Sequence, residues 1–378
     1  MGSLEDILIN WRSALMFALC FPMLITALML FSRRVERRAN AFLAALLIAV
    51  VLVQIPQIIG FSGFYNIWPS LTFLPVETTL YLGPLLYLHA WTLINDKPLN
   101  WRWALLIPGA VQTAYYTAAF FALGDYENKW EFTRKVHDPY ILPFETLLAV
   151  GLVLFVLYKV GRNIKTYEGF LTDTHSAKME YDPIWLRRLI RSLWIGGVIF
   201  IAIEFLELIH GGLSYEAEFP IQMIMTGIIA WLGLEALSRT SRPFPKIYVQ
   251  QLKAEIEGKK SERDWATDGQ TLKAAIEAGN WHLSPVLSLR DLARRMGSNE
   301  TYMSRTINLG LDTNFNRLIN TMRVEHAKNL LKETDSNILE IALDSGFNSK
   351  PTFNRVFRDL SGQTPTQYRN KAAEVKWP

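Results

Sequence analysis

Cysteine is almost missing from this sequence, since Cys20 is the only one among 378 residues. A single cysteine excludes an intramolecular disulfide and any metal site that needs several thiolates. Cys20 lies in an apolar run, which favours a small core or lipid-facing residue over a reactive thiol. The Walker loop, the nucleophile elbow and the HExxH motif are absent as well. We therefore predict no catalytic residue, no metal site and no cofactor.

Charged side chains are also scarce, at 20% of the residues, while 50% are hydrophobic. The mean hydropathy is +0.12, and a soluble protein of this length rarely has a positive average, so we expect part of the chain in lipid. The length predicts about two domains. The net charge of +4 is uneven, because residues 1–245 carry 19 cationic and 19 anionic side chains whereas residues 246–378 carry 20 and 16.

Long apolar runs fill the first 240 residues. A helix that crosses the bilayer core needs about 20 apolar residues, and seven runs approach or exceed that length, at 13–31, 39–60, 71–94, 103–123, 139–160, 192–213 and 218–237. Glu77 and Glu145 interrupt the third and fifth runs. The alternative, a soluble all-α protein, would have to bury all seven. The sequence therefore predicts a seven-helix transmembrane bundle over residues 1–240.

The positive charges give this bundle an orientation. Arg33, Arg34, Arg37 and Arg38 follow the first apolar run instead of preceding it, which excludes a cleaved signal peptide there. Cationic residues gather in cytoplasmic loops, so we predict the N-terminus outside and the C-terminal half in the cytoplasm. This topology places 15 Lys and Arg residues of the apolar half in cytoplasmic segments and 4 in outer segments.

The composition changes after Ser238, where Pro243 and Pro245 break any continuing helix. We interpret residues 241–268 as a connector and residues 269–371 as a separate all-α domain.

This domain contains two helix-turn-helix patterns. In the first, Ser288 is an N-cap candidate, Gly297 supplies the turn, and a second helix covers about residues 299–308. In the second, a helix begins near Ile338, Gly346 makes the turn, and another helix covers about residues 350–360. One longer helix over residues 315–332 joins the two units. A lone pattern of this kind is a weak signal, because any small helical bundle can imitate it.

More specific motifs extend over about a hundred residues, from Thr271 to Arg369, and resemble the DNA-binding domain of the AraC/XylS family of bacterial transcription regulators. The residues that carry the resemblance are Leu289-x2-Leu292-Ala293, Tyr302-Met303-Ser304-Arg305, Phe315-x2-Leu318-Ile319-Asn320-x2-Arg323, Ala327-x2-Leu330-Leu331, Ile338-x-Glu340-Ile341-Ala342-x3-Gly346-Phe347, Phe353-x-Arg355-x-Phe357 and Gly362-x-Thr364-Pro365-x2-Tyr368-Arg369.

The sequence departs from the family pattern at Asp312, where glycine is usual. Asp tolerates a left-handed backbone better than most residues, so we expect the turn to survive. Met303 and Ile307 stand where Leu and Phe are commoner, and both keep apolar volume.

The resemblance implies that the second helix of each unit enters a major groove of DNA. By their position in the pattern, the predicted contacts are Thr301, Ser304, Arg305, Lys350, Pro351, Asn354, Arg355 and Arg358. Arg305 and Arg355 either read bases or hold phosphates, and the competing interpretation of every one of these residues is a solvated helix face. The two units should meet groove faces about one helical turn apart, roughly 34–36 Å or 10 base pairs at most.

Ionisable residues also occur inside the predicted spans, where charge is expensive. The candidate ligand-sensing residues are Glu77, Glu145, Glu204, Glu207 and His210, all in the outer half of the predicted bundle, with Gln54, Gln57, Tyr115 and Tyr116 nearby and His89 in the inner half. Counted along the helices, Glu77 and Glu145 would lie roughly 9–10 Å deep. These groups either form a pocket for a cation, a metal or a small polar ligand, or they satisfy one another and fix helix packing.

Together these patterns predict a multi-pass protein of the bacterial inner membrane, with an architecture that resembles membrane-embedded AraC-type regulators. The bundle would sense a signal and the cytoplasmic domain would bind promoter DNA. The expected partners are double-stranded promoter DNA, the lipid bilayer, an unidentified small ligand or ion, RNA polymerase and a second copy of the chain. The alternative is an intramembrane transporter or metal-dependent enzyme with an autoregulatory DNA-binding tail.

Overall fold

The computed structural model describes residues 10–176, residues 184–198 with breaks at 185, 189 and 197, and residues 215–238, 244–247 and 264–376. All regular secondary structure in these residues is helical, which confirms the predicted all-α class. The chain divides into two compact units. The first consists of Met1–Ile164 and Pro183–Lys246, and the second of Lys165–Asp182 and Ile247–Pro378.

The first unit is built mainly from long apolar helices. Its α-helices are α1 (Trp11–Ser32), α2 (Arg37–Phe61), α3 (Phe64–Ile67), α4 (Thr79–Ile94), α5 (Ile107–Ala122), α6 (Tyr126–Phe132), α7 (Leu142–Thr174) and α8 (Tyr215–Ser238). Helix α7 leaves this unit at its C-terminal end and finishes in the second one. Single-turn and irregular helices lie between them, at Pro69–Leu71, Asn100–Leu106 and Thr133–Ile141. The described residues between 184 and 198 are helical too. Helix α2 packs between α1 and α4, and α8 packs on α1 and α2.

The described residues contain four helices that are long and apolar enough to cross a membrane, at Trp11–Ser32, Arg37–Phe61, Tyr126–Thr174 and Phe219–Ser238. The described part of the chain therefore contains fewer membrane-length helices than the seven that the sequence predicts. The sixth predicted span, 192–213, lies mostly outside the described residues. The fifth is part of a continuous helical stretch that starts before the predicted boundary and runs to Thr174.

The third and fourth predicted spans, 71–94 and 103–123, are wrong in their boundaries. Helices α4 and α5 have 16 residues each, about 24 Å at 1.5 Å per residue, which is short of a 30 Å hydrocarbon core. Prolines lie near the start of both helices, where a missing N–H group costs no helical hydrogen bond. Pro75 precedes α4, and Pro108 occupies the first turn of α5 behind a 3₁₀ stretch.

Side chains tie the loops together at one end of the first unit. The Arg33 guanidinium donates to the Ala236 carbonyl at 2.7 Å. The Lys246 ammonium donates to the carbonyls of Thr92 and Leu93 at 2.8 and 2.6 Å. The segments that follow α1, α4 and α8 therefore meet at the same end.

A second set of contacts marks the opposite ends of these helices. The Asn10 amide donates to the Phe61 carbonyl at 2.8 Å, and the Phe219 ring lies 5.5 Å from the Phe61 ring. The Lys129 ammonium donates to the Ser70 carbonyl at 2.7 Å. The start of α1, the end of α2 and the start of α8 therefore meet there.

The second unit contains the helices α9 (Trp265–Ala278), α10 (Leu289–Arg295), α11 (Glu300–Gly310), α12 (Phe315–Glu333), α13 (Ile338–Asp344), α14 (Lys350–Ser361) and α15 (Pro365–Lys376), with a 3₁₀ turn at Trp281–Leu283. Local polar residues set where they begin. Ser288 and Asp291 form a capping box at α10, which confirms the predicted N-cap, and Asn337 and Glu340 form another at α13.

Two apolar cores lie along helix α12. Its N-terminal half contributes Phe315, Leu318 and Ile319 to a core shared with α9, α10 and α11. Its C-terminal half contributes Ala327 and Leu331 to a second core shared with α13 and α14. One helix thus holds the two helix-turn-helix units in a fixed relation, as the sequence predicts.

The turn residues have the left-handed backbone that the sequence predicts. The φ angles are +60° at Gly297, +80° at Gly346 and +48° at Asp312. Gly346 is also tightly packed, because a Cβ atom there would lie 2.7 Å from the Leu283 carbonyl oxygen. No described atom lies within 4 Å of the corresponding position at Gly297.

We expect Gly346→Ala to destabilise the second unit more than Gly297→Ala does. Both alanines would carry the cost of a left-handed backbone, about 1–2 kcal/mol, but only the one at 346 would also collide with a main-chain carbonyl. Thermal unfolding of the full-length variants in the same detergent should show a larger loss of Tm for Gly346→Ala. Equal losses would contradict this packing.

Candidate functional site

The first recognition helix is α11. Asn299 caps it, with its side-chain oxygen accepting from the Tyr302 amide at 2.8 Å. Met303 and Ile307 are buried in the first core. The opposite side presents the three predicted contacts, which are half-buried and spaced i, i+3 and i+4: Thr301, Ser304 and Arg305. They lie on one helix face, as a groove-reading set must.

The second recognition helix is α14. Phe353 and Phe357 are fully buried and pack against Phe347 and Tyr368. The predicted contacts lie away from this core, with Asn354 half-buried and the others exposed: Lys350, Pro351, Arg355 and Arg358. Their alternation with the buried phenylalanines follows from the 3.6-residue period of the helix. The structure thus presents both predicted sets on the surface of the second unit.

Helix α10 adds cations that the sequence-predicted set leaves out. Arg290, Arg294 and Arg295 are exposed. The Arg290 guanidinium bonds to Glu300 at 2.9 Å, which joins the first turns of α10 and α11. Because the first helix of a helix-turn-helix unit crosses the DNA backbone, these arginines are suited to phosphates. The sequence could have indicated these DNA-contact candidates, because three arginines lie within the eight residues before Gly297.

A separate group of polar residues lies in the first unit, on α5 and around the start of α7. We call Gln112, Tyr115, Tyr116, His137 and Glu145 the polar cluster. The Tyr116 hydroxyl donates to the Glu145 carboxylate at 3.2 Å. The Tyr115 hydroxyl lies 3.0 Å from Nδ1 of His137, and the Tyr116 hydroxyl 3.4 Å from its Nε2. Gln112 also hydrogen-bonds to Glu145.

Only part of the predicted ligand-sensing set belongs to this cluster. Glu145 is its acidic member. Glu77 interacts electrostatically with Tyr116 and Glu145, but it does not lie in a helix, as the predicted span required. It precedes α4, and its carboxylate accepts hydrogen bonds from the amide and hydroxyl of Thr79. Three predicted members lie outside the described residues: Glu204, Glu207 and His210.

Other polar residues of the apolar helices have packing partners. The Gln54 amide donates to the Thr226 hydroxyl at 3.0 Å, which joins α2 to α8. His89 is buried, with Nδ1 2.8 Å from the Ala39 carbonyl. Within the described part of the chain, no group of three or more His, Cys, Asp or Glu side chains could hold a metal ion.

The comparisons with known proteins concern the second unit. A family model described as a helix-turn-helix domain matches residues 292–371. This stretch is a helix-turn-helix domain. It contains α11, α12, α13 and α14 and all eight predicted DNA contacts, and DNA binding is the role of such a domain. The match agrees with the resemblance that the motifs carry.

Two similar proteins are named as regulators of transcription. An uncharacterized HTH-type transcriptional regulator of Staphylococcus aureus strain COL is 41% identical over 88 residues, which is 23% of this chain and 12% of the relative. The melibiose operon regulatory protein of Escherichia coli strain K12 is 34% identical over 83 residues, 22% of this chain and 28% of the relative. The chain thus covers less than a third of either relative. No solved structure matches the chain.

We expect Arg355→Ala to weaken DNA binding by the helix-turn-helix domain. Loss of a base contact costs about 1–3 kcal/mol, or roughly 5- to 150-fold in affinity, and relaxes specificity at one position. Loss of a phosphate contact instead weakens all sequences alike and lowers the salt slope by about one. Binding titrations of the full-length protein at several salt concentrations would separate these roles.

Lys273→Ala is the matched control, because this exposed lysine pairs with Glu277 on α9, outside residues 292–371. Its removal should leave the affinity unchanged. An equal loss in the two variants would contradict a specific role for α14.

Proposed function

We propose that this protein is a membrane-bound regulator of transcription, which binds promoter DNA in the cytoplasm in response to a signal sensed by its apolar half. One observation carries the proposal. A single chain combines a helix-turn-helix domain that exposes two recognition helices with, among its described residues, four helices of membrane length. Specific DNA binding and membrane residence in one molecule are the requirements for a one-protein signalling pathway.

The contacts within the first unit support the proposed topology. The segments that meet at one end, around Arg33, Thr92 and Lys246, are those that the excess of positive charge assigns to the cytoplasm. The segments that meet at the other end, around Asn10, Ser70 and Phe219, are those assigned to the outside. The charge pattern and the packing therefore sort the loops in the same way.

A contact within the second unit gives further support. The backbone amide of Ser176 donates to the Leu287 carbonyl at 3.2 Å. Ser176 follows the fifth predicted span, so the proposed topology puts it in the cytoplasm, where the DNA-binding domain must also be. Segments in contact share one side of the membrane, and here the topology and the contact agree.

The polar cluster is the proposed sensor. It pairs a carboxylate, Glu145, with tyrosine hydroxyls and an imidazole on neighbouring helices. Burial of such polar groups inside a membrane costs free energy, so their presence there indicates a functional role. We propose that the cluster binds a small polar or cationic ligand, and that binding changes the contacts of helix α7.

The relatives support a role in transcription, since both are named as regulators. A second copy of the chain and RNA polymerase are further proposed partners. Two DNA-binding domains held close together in one membrane would bind two neighbouring DNA sites with a higher effective concentration than one domain alone.

A genome-wide DNA-occupancy map of the full-length protein in its membrane would test the proposed function. The expected result is a limited set of promoter sites, each with two recognition elements about 10 base pairs apart. These sites should disappear in the Arg305→Ala/Arg355→Ala double variant. Occupancy without preferred sites, or sites that survive in the double variant, would overturn the proposal.

We expect Glu145→Gln to change the transcription of genes near the bound sites. The substitution removes the charge that Tyr116 faces, and coupling energies between sites typically correspond to changes of about 5- to 150-fold. Transcript levels in cells with wild-type and variant protein at equal abundance would measure the effect.

Glu131→Gln is the matched control. Glu131 pairs with Lys135 at 2.6 Å with both side chains largely exposed, and such surface pairs contribute little. If Glu145→Gln and Glu131→Gln give the same transcript levels as wild type, the polar cluster is not the sensor.

A further inference from the structure

The end of helix α7 is built into the DNA-binding unit. Residues 165–176, which we name the docking segment, belong to the second unit, although the main part of that unit begins only at Ile247. His175 forms an antiparallel bridge with Ser288. The Ser176 hydroxyl also donates to the Leu287 carbonyl, at 2.8 Å. Thr174 and Ser176 are buried.

A buried cation anchors this segment. Arg323 on α12 is 1% exposed. Its guanidinium donates to the His282 and Ser284 carbonyls, both at 2.7 Å, and to the Ser176 hydroxyl at 3.1 Å. A buried guanidinium needs acceptors for its five N–H groups. The docking segment therefore supplies one acceptor to a group that also donates to two carbonyls of the turn before α10.

A second side chain on the same helix holds the main chain of the segment. The Asn316 amide group donates to the carbonyls of His175 and Ser176, both at 2.9 Å. Arg323 and Asn316 thus form a polar seat for two residues that carry no charge of their own at neutral pH. Burial lowers the pKa of His175 to about 4, with the nearby carboxylates of Glu300 and Asp291 opposing the shift.

The seat lies at the edge that DNA must approach. Ser288 is the N-cap of α10, and the Arg290–Glu300 pair joins the first turns of α10 and α11. His175 interacts electrostatically with both members of that pair. In a helix-turn-helix unit, the N-terminal residues of the recognition helix meet the bases while the first helix crosses the backbone.

The docking segment carries a net negative charge, which repels the DNA phosphates at this edge. Residues 165–176 contain Lys165, Glu168 and Asp173, so with a neutral His175 the net charge is −1. A segment adapted to hold phosphates would carry a positive charge.

We propose that the docking segment is an autoinhibitory element, which covers the DNA-facing edge of the first helix-turn-helix unit until movement of α7 withdraws it. This inference rests on the proposed function and adds its regulation. Helix α7 has 33 residues, about 50 Å at 1.5 Å per residue. Its first turn carries Glu145 of the polar cluster, and the two residues that directly follow the helix, His175 and Ser176, are held in the seat. Ligand binding at the cluster would therefore act on the seat through one continuous helix.

A reversible disulfide tests the element in the full-length protein. Residues paired across an antiparallel bridge have Cα atoms about 4.5–5.5 Å apart, within the range of 4.4–6.8 Å that a disulfide accepts. His175→Cys and Ser288→Cys in a Cys20→Ala background give a chain whose only two thiols face each other. The protein is purified in lipid nanodiscs and titrated with a pool of duplexes randomised over about 30 base pairs, enough for two half-sites.

Oxidation should lock the segment in its seat and weaken DNA binding at least about 5-fold, the lower end of typical coupling, and a reductant should restore it. Each chain is its own control, because the oxidised and reduced forms differ only in the bond. The single His175→Cys variant should not respond to oxidant. Failure of the pair to oxidise, or equal or tighter binding in the oxidised form, would overturn the autoinhibitory role.

Ser176→Ala and Asn316→Ala provide a second measurement in the opposite direction. Both weaken the seat, so both should raise the affinity for DNA about 5-fold or more. Loss of folding cannot imitate this result, since unfolded protein binds less. Thr334→Ala is the control, because its hydroxyl donates to the Leu330 carbonyl at the far end of α12, and it should leave the affinity unchanged.

The outcomes separate the two proposals. If the oxidised and reduced proteins bind specific duplexes equally, only the autoinhibitory role fails. If neither form selects any duplex from the pool, the proposed function is wrong, and the autoinhibitory role, which rests on it, is wrong as well.

Discussion

The buried guanidinium of Arg323 is the interaction on which the DNA-binding unit depends. It lies on the helix that separates the two apolar cores, bonds to the turn before α10, and faces the Phe347 ring of the second core at 5.6 Å. Each hydrogen bond from a charged group to a neutral acceptor contributes about 1.5–3 kcal/mol, and the guanidinium makes several of them. The relation between the two recognition helices is therefore fixed by one satisfied cation as well as by apolar packing.

The same cation explains why a distant segment can become part of the domain. Ser176 is 147 residues away in sequence, and its hydroxyl accepts a hydrogen bond from the guanidinium. A hydrogen bond to a charged group contributes about 1.5–3 kcal/mol, enough to hold a short segment and small enough to be reversed. This balance suits a contact that must both form and release.

The helix-turn-helix half could be predicted closely because its signals are local. Ser288, Gly297 and Gly346 mark helix starts and turns through their own backbone and capping preferences. The predicted bounds 315–332 and 350–360 differ from the helices Phe315–Glu333 and Lys350–Ser361 by one residue. The outward faces of α11 and α14 followed from the same helical period.

The missed features depend on contacts that no sequence window contains. Averaged hydropathy placed Glu77 inside a span, whereas the helix α4 begins only at Thr79. His137 lies in a stretch predicted as an outer loop, so only folding brings it to Tyr115 and Tyr116. The docking segment was assigned to the cytoplasmic segment after the fifth predicted span, since nothing near Ser176 signals a contact with Arg323.

The central claim is that a membrane bundle holds a DNA reader at the cytoplasmic face. Binding of a labelled target duplex to sealed inner-membrane vesicles of defined orientation tests it most directly. Inverted vesicles, which expose the cytoplasmic face, should bind the duplex, and right-side-out vesicles should bind it only after permeabilisation. Equal binding to both kinds of sealed vesicle, or recovery of the full-length chain in the soluble fraction, would contradict the account.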